Sequence, residues 1–315
     1  MKRLTSVISV ILALTSCTHK ELCYDHPHTL EIDVEFDWSK APDAKPGSMS
    51  LYLFEEEAEE GNRYEFTDHT KGKIRVMPGK YQAVCINSDT RSISFADRSR
   101  YETSLIVTKD ADMQPNLTPL SIRPVKGMMK SDIENERLAM SPDSVWTARM
   151  EEVIADSLCR KLTFTPEEAF STIKVEIKNV ENIKYLSTAV GSLSSFSEGF
   201  HIGLNKLSDE KVTIPFELDI SKGDKRLSGE LRVFGHCPNG NNKHILTVYG
   251  KMADGNTYSQ AYDVTGQIHE SETDIISILL ETLALPEPTP GSGGGGGGFQ
   301  PSVGDWESVD IGIKM

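Results

Sequence analysis

From residue 30 the chain alternates apolar and polar side chains: Leu30, Ile32, Val34, Phe36 and Trp38 fall on one face, Glu31, Asp33, Glu35 and Asp37 on the other. A period of two is that of a strand with one face in a core and one in water. The pattern then repeats in shorter form. Residues 51–54 read as an apolar strand, the acidic run 55–60 as a solvated hairpin tip, and 63–66 as the return. Residues 73–77 and 81–87 flank a Pro78-Gly79 turn, 104–108 supply another strand, and 120–125 follow a loop bounded by Pro115 and Pro119. Together these mark an N-terminal domain over 29–125.

The stretch 126–160 has no clear period. Helix formers over 132–140 run into Pro142, and 146–154 fits either period, so it reads as a junction leading into a second domain. Strand grammar resumes at 162–165, 172–180 and 183–186, with an ambiguous serine-rich segment at 187–198. Residues 212–220 read as a strand that Pro215 assigns to an edge or bulge. Strands at 227–235 and 244–251 flank Pro238-Asn239-Gly240-Asn241, and Asp254-Gly255 turns the chain into 257–264, a pattern of successive hairpins. A last apolar run at 272–285 closes a C-terminal domain over 161–285. The predicted fold class is all-β, two tandem antiparallel β-sandwich domains.

The two ends follow other rules. Lys2 and Arg3 precede a largely apolar run over 4–13 that is too short to span a bilayer, and Leu14-Thr15-Ser16-Cys17 ends it. This resembles a bacterial lipobox: a signal peptide over 1–16 is removed, Cys17 is acylated, and 17–28 tethers the first domain to the membrane. At the other end, 286–298 is a Pro-rich and then oligoglycine linker. Beyond it, over 299–315, Val309, Ile311, Ile313 and Met315 alternate with polar residues and glycine, the pattern of a strand that must find a sheet elsewhere. The tail is expected to dock on its own second domain, to stay disordered, or to serve as a donor strand for a partner.

Charge and cysteine usage narrow the function. Loss of Lys2 and Arg3 with the signal leaves 31 basic against 47 acidic side chains, or −16, which argues against nucleic acid as a partner. Cys23, Cys85, Cys159 and Cys237 are too widely spaced for a zinc site and read as buried thiols or one structural disulfide. Asp25-His26-Pro27-His28 lies in the tether, the eight histidines are scattered along the sequence, and no metal or cofactor is expected. Ser192-Leu193-Ser194-Ser195 lacks the glycine frame of a hydrolase elbow, and the oligoglycine tract lacks the lysine of a phosphate loop. No enzymatic motif is present.

Ser50-Leu51-Tyr52-Leu53-Phe54, with Ile74-Arg75-Val76-Met77-Pro78-Gly79-Lys80-Tyr81 and its continuation to Asn87, is similar to the first sandwich domain of Bacteroidales fimbrillin-associated lipoproteins, which include fimbrial anchors. The phrases at 162–166 and 172–180 resemble that family's second domain. The resemblance implies a transthyretin-like, fimbrillin-like fold. It also implies an outer-membrane lipoprotein, held by palmitate-type acyl chains at the cell surface, that anchors or joins a fimbria by donating or accepting a β-strand. A surface adhesin for a glycan or host protein is the other function class the same scaffold serves, and exposed loop aromatics such as Trp146 and Trp306 would favour it.

Overall fold

The computed structural model describes residues 29–56, 59–111, 136–238, 242–271 and 275–287. The signal, the tether, residues 112–135, the linker from 288 and the tail 299–315 lie outside the described residues. In chain order the strands are β1 (Leu30–Phe36), β2 (Met49–Phe54), β3 (Asn62–Phe66), β4 (Lys71–Val76), β5 (Gly79–Asn87), β6 (Ile93–Asp97) and β7 (Leu105–Thr108). Next come β8 (Arg137–Leu138), β9 (Trp146–Ala155), β10 (Lys161–Phe164), β11 (Glu167–Glu168), β12 (Ser171–Ile177), β13 (Val180–Glu181), β14 (Leu186–Ser197), β15 (Gly199–His201) and β16 (Lys206–Leu207). The last are β17 (Lys211–Glu217), β18 (Asp219–Ser221), β19 (Arg226–Val233), β20 (Ile245–Met252), β21 (Thr257–Asp263), β22 (Ile275–Leu280) and β23 (Leu283–Ala284). A short helix, Thr265–His269, precedes β22. The fold is all-β.

In the first body the sheet β10-β1-β4 covers one face of the sheet β11-β9-β5-β2-β3. The alternation read from β1 does its predicted work: Ile32, Val34 and Phe36 turn inward and meet Met49, Leu51, Leu53, Ala83 and Cys85. Each such side chain, fully buried, contributes about 1.5–3 kcal/mol. The other face of the larger sheet is also covered, because Tyr52, Phe54, Val84 and Ile86 pack with Ile93, Tyr101, Ile106, Phe200 and Phe234. All six residues of β2 are therefore buried. That explains why β2 reads as a continuous apolar run and not as an alternation.

The second body stacks β18-β19-β12-β22 on β21-β20-β14-β17-β8 around a single core that includes Ile173, Val175, Leu193, Phe196, Ile214, Leu231, Val248 and Ile278. Four pairings within this all-β arrangement are parallel: β1 with β10, β12 with β22, β13 with β23, and β17 with β8. Parallel partners lie far apart in sequence, so no turn motif announces them.

A further sheet, β16-β15-β7-β6, joins the two bodies. Its central pair sets Gly199, Phe200 and His201 of β15 against Val107, Ile106 and Leu105 of β7. Backbone bonds extend the ladder at both ends, Thr108 N donating to Glu198 O at 2.9 Å and Ile202 N to Ser104 O at 3.0 Å. The approach is close enough to demand glycine. A Cβ on Gly199 would lie 2.2 Å from Ile106 O, and one on Gly203 would lie 2.2 Å from Tyr101 O. Since backbone, unlike a side-chain tip, has nowhere to swing, Gly203→Ala is expected to lower stability by about 1–3 kcal/mol. Denaturant unfolding checks this, and an unchanged midpoint would contradict it.

Several sequence expectations change in detail. Trp38 leaves the strand: the Asp37 side chain accepts the Ser39 N–H at 3.1 Å and turns the chain into a single 3-10 turn, Trp38–Lys40. Pro78-Gly79 links β4 and β5 across layers, since those strands belong to different sheets. The strands on either side of Asn239-Gly240 are likewise in different sheets, so no hairpin forms there. Asp254-Gly255 does close a hairpin, β20 with β21, with Gly255 at φ 87°. The serine-rich 187–198 is the core of β14, the strand between β20 and β17. Residues 183–186, expected as strand, begin with a 3-10 turn, Ile183–Tyr185. Pro215 sits in β17 past the two residues, Val212 and Thr213, that pair with β8, where a missing N–H leaves no ladder bond unmade on that side.

The largest difference concerns 126–164. β9 lies between β5 and β11 in the first body, and β10 pairs with β1. The neighbouring β8 adds to β17 of the second body. The chain thus passes into the second body at β8, returns for β9 to β11, and leaves again at β12.

Candidate functional site

Cys17 and the tail residues Val309, Ile311, Ile313 and Met315 lie outside the described residues. What the structure supplies is the surroundings of the last described residues, up to Glu287. β23 pairs in parallel with β13, Asn182 Nδ2 donates to Leu285 O at 2.9 Å, and Leu285 is buried. The β13–β23 pair continues the parallel β12–β22 pair, and among the described residues β22 is an edge strand of the sheet β18-β19-β12-β22. Ile276 and Ile278 of β22 turn into the core, while Ile275 and Leu279 are 53% and 36% exposed. The Gln267 side chain donates to Leu279 O at 3.2 Å and accepts from Leu279 N at 2.7 Å, filling the hydrogen-bonding position of a neighbouring strand.

A second cluster lies at one end of the same body, and the sequence did not reveal it. His236 follows β19, His244 enters β20, and His269 ends the short helix. Their rings converge, with centroids 6.1 Å apart for His236 and His244 and 5.1 Å apart for each of the other two pairs. One ring nitrogen of each lies within 4.8 Å of the other two. The expectation that the histidines stay scattered is corrected here: sequence separation hides a proximity made by two sheets meeting. His244 is fully buried, and burial holds its pKa down at about 4, with the Ser194 carbonyl opposing that shift and the neighbouring imidazoles adding to it. Burial also lowers His236. Both imidazoles are neutral at pH 7.

The serine run expected to be structural is what positions this cluster. Between Leu193 and Phe196 the register of β14 shifts against β17, and Ser195 adopts φ 69°. Glu136 holds this bulge by accepting from Ser195 N at 2.9 Å and Ser195 Oγ at 3.0 Å, and from Thr213 Oγ1 at 2.8 Å. The bulge presents Ser194 O to His244 Nδ1 at 2.9 Å.

The other residues singled out are structural. Trp146 is part of β9 and packs edge-on against Trp38 and Phe170, at 6.1 and 6.5 Å between centroids, so it is no loop aromatic. Trp306 lies outside the described residues. Cys85, Cys159 and Cys237 are free thiols, and burial raises the pKa of Cys85 well above the ordinary thiol value. A cleft of about 440 Å³ opens between the faces of β2 and β6, lined among others by Tyr52, Arg63, Asn87, Phe95 and Arg98.

Two joined β-sandwiches, with β22 at the edge of one sheet among the described residues, define the class as an all-β sandwich protein. Residues 16–217 match the family described as "Domain of unknown function (DUF5119)", and the chain belongs to that family. It is 24% identical over 232 residues to a Bacteroides ovatus protein provisionally named as the fimbrium anchoring subunit Fim4B, a match that takes in 72% of this chain and 63% of that one. Among solved structures it is similar to a provisionally assigned adhesin from Bacteroides ovatus, with a TM-score of 0.61 and 19% identity, covering 87% of this chain and 98% of that one. A second such adhesin from Bacteroides ovatus covers 84% and 90% of the two chains, with a TM-score of 0.51 and 8% identity.

Proposed function

We propose that the protein is a non-enzymatic, lipid-anchored subunit of a fimbria-like filament at the cell surface, acting in anchoring or as an accessory subunit. The observation that carries this reading is the alignment over most of the chain with a relative named for fimbrium anchoring. The lipobox-like end at Cys17 supports attachment to the outer membrane through a covalent lipid and makes fimbrial subunits the natural partners. Donor-strand assembly suits the tail. Main-chain pairing gives affinity, and Val309, Ile311, Ile313 and Met315 supply the alternate side chains that fill pockets.

Deletion of 299–315 separates the possible positions of the tail. Donation to a partner predicts unchanged melting of the isolated protein and loss of filament material co-purifying with it. Docking on its own second body predicts lower melting, and the linker has the reach for this, at about 5–6 Å times the square root of its length. If neither quantity changes, strand donation is rejected. Failure of the intact lipoprotein to retain any filament subunit in its native membrane would overturn the anchoring role itself.

The cleft beside Tyr52 and Phe95 favours one other reading, a surface adhesin, since its volume and its mix of aromatic, amide and guanidinium groups suit a small polar ligand such as a glycan unit. Loss of glycan-array binding on Tyr52→Ala with the filament association retained would support that reading.

A further inference from the structure

We propose that His236, His244 and His269 form a binding site for a divalent transition metal of the zinc, nickel or copper class. Three features of the cluster point there together. One ring nitrogen from each of three imidazoles lies within 4.8 Å of the other two. The buried member is oriented as a ligand. Its Nδ1 lies 2.9 Å from a carbonyl oxygen that can only accept, so Nδ1 carries the proton and Nε2 keeps its lone pair. That Nε2 is buried with no hydrogen-bond partner. A backbone carbonyl fixing the far nitrogen is the arrangement that sets tautomer and ring plane in metal-bound histidines.

A buried acceptor without a partner is costly, and a cation is the partner that this lone pair lacks. The donor set names the class. Three imidazoles without thiolate suit zinc, nickel and copper(II), whereas calcium and magnesium prefer oxygen ligands. Zinc–nitrogen bonds of about 2.0–2.1 Å place tetrahedral donors about 3.3 Å apart, so the ligand atoms must close from 4.8 Å. His236 and His269 are exposed, and their side chains can make that movement, while His244 stays fixed by Ser194. Three protein ligands leave a fourth position open to water.

The ion would tie together the end of β19, the start of β20 and the short helix. Thr265 already bridges two of these, accepting the His244 N–H at 2.9 Å. The same helix carries Gln267, which covers β22 at Leu279, so metal binding would strengthen the guard on that edge.

The test uses the full chain, detergent-solubilised, stripped by a chelator and titrated with zinc alone. Expected are one equivalent bound by calorimetry and a rise in melting temperature. His236→Ala and His269→Ala, both at exposed positions, should each weaken binding at least tenfold while leaving the metal-free melting temperature unchanged. On the unaltered chain, zinc should protect His236 and His269 from alkylation, read by mass spectrometry, which guards against a folding defect in either variant. No binding, binding that survives the double variant, or protection confined to His26 and His28 of the tether would overturn the proposal. Because the readouts need no filament, they stand or fall apart from the anchoring function.

Discussion

Replacing Cys17 with Ser should move the protein from the membrane fraction to the soluble fraction. The apolar run over 4–13 is about half the length that a spanning helix needs, and no helix among the described residues is long and apolar enough to cross a membrane. Each buried methylene of an acyl chain contributes about 0.8 kcal/mol, so two or three chains anchor essentially permanently where one binds reversibly. On the proposed acylation of Cys17, removing its thiol abolishes attachment. Fractionation, with intact-mass analysis of the mature amino terminus, checks both halves of the statement. An unmodified Cys17 on a chain that still sediments with membranes would reject it.

Phe164→Ala should cost about 3–5 kcal/mol, a large part of the 5–15 kcal/mol that typically separates folded from unfolded states. Phe164 is 1% exposed, its ring lies 6.3 Å from that of Phe36, and its strand pairs with β1, more than a hundred residues earlier. The loss should therefore appear in the first body. Hydrogen exchange should accelerate at Ile32 and Val34 before it does at Ile173 and Val175 of the second core. By the same logic a fragment spanning 29–125 should not fold, because it lacks both β9, which lines β5 from Gly79 to Ile86, and β10. Unchanged protection of β1 in Phe164→Ala, or a cooperative melt of the short fragment, would refute the pairing scheme.

The sequence made the strands legible and their partners much less so. β1, with Ile32, Val34 and Phe36 inward and acids outward, could be read directly, because burial on one face leaves an alternating record. The hairpin at Asp254-Gly255 could be read because a positive φ favours glycine. β14 resisted. Serines and Gly191 share its buried positions with Val190, Leu193 and Phe196, and a Cβ on Gly191 would lie 2.3 Å from the Phe216 ring, so small side chains are needed at positions that a hydrophobic scale reads as polar loop. β9 resisted because an edge bulge and mixed burial blur its period. Proximity across sheets leaves no local trace at all. That is why Asn239-Gly240 suggested a hairpin that is absent, and why His236, His244 and His269 seemed unrelated.

The repeated passage of the chain between the two bodies has a mechanical meaning. In two beads on one string, tension is carried by the string and the beads part at the first slack. Here the covalent path enters the second body at β8, returns for β9 to β11 and crosses again at β12, while β7 and β15 grip each other through a hydrogen-bonded ladder. A pull applied between the amino-terminal and carboxy-terminal ends is therefore shared among several parallel connections. Extension must wait until strands shear out of their sheets. For a protein loaded at its two ends, that makes the pair of bodies a stiff coupling that does not act as a hinge.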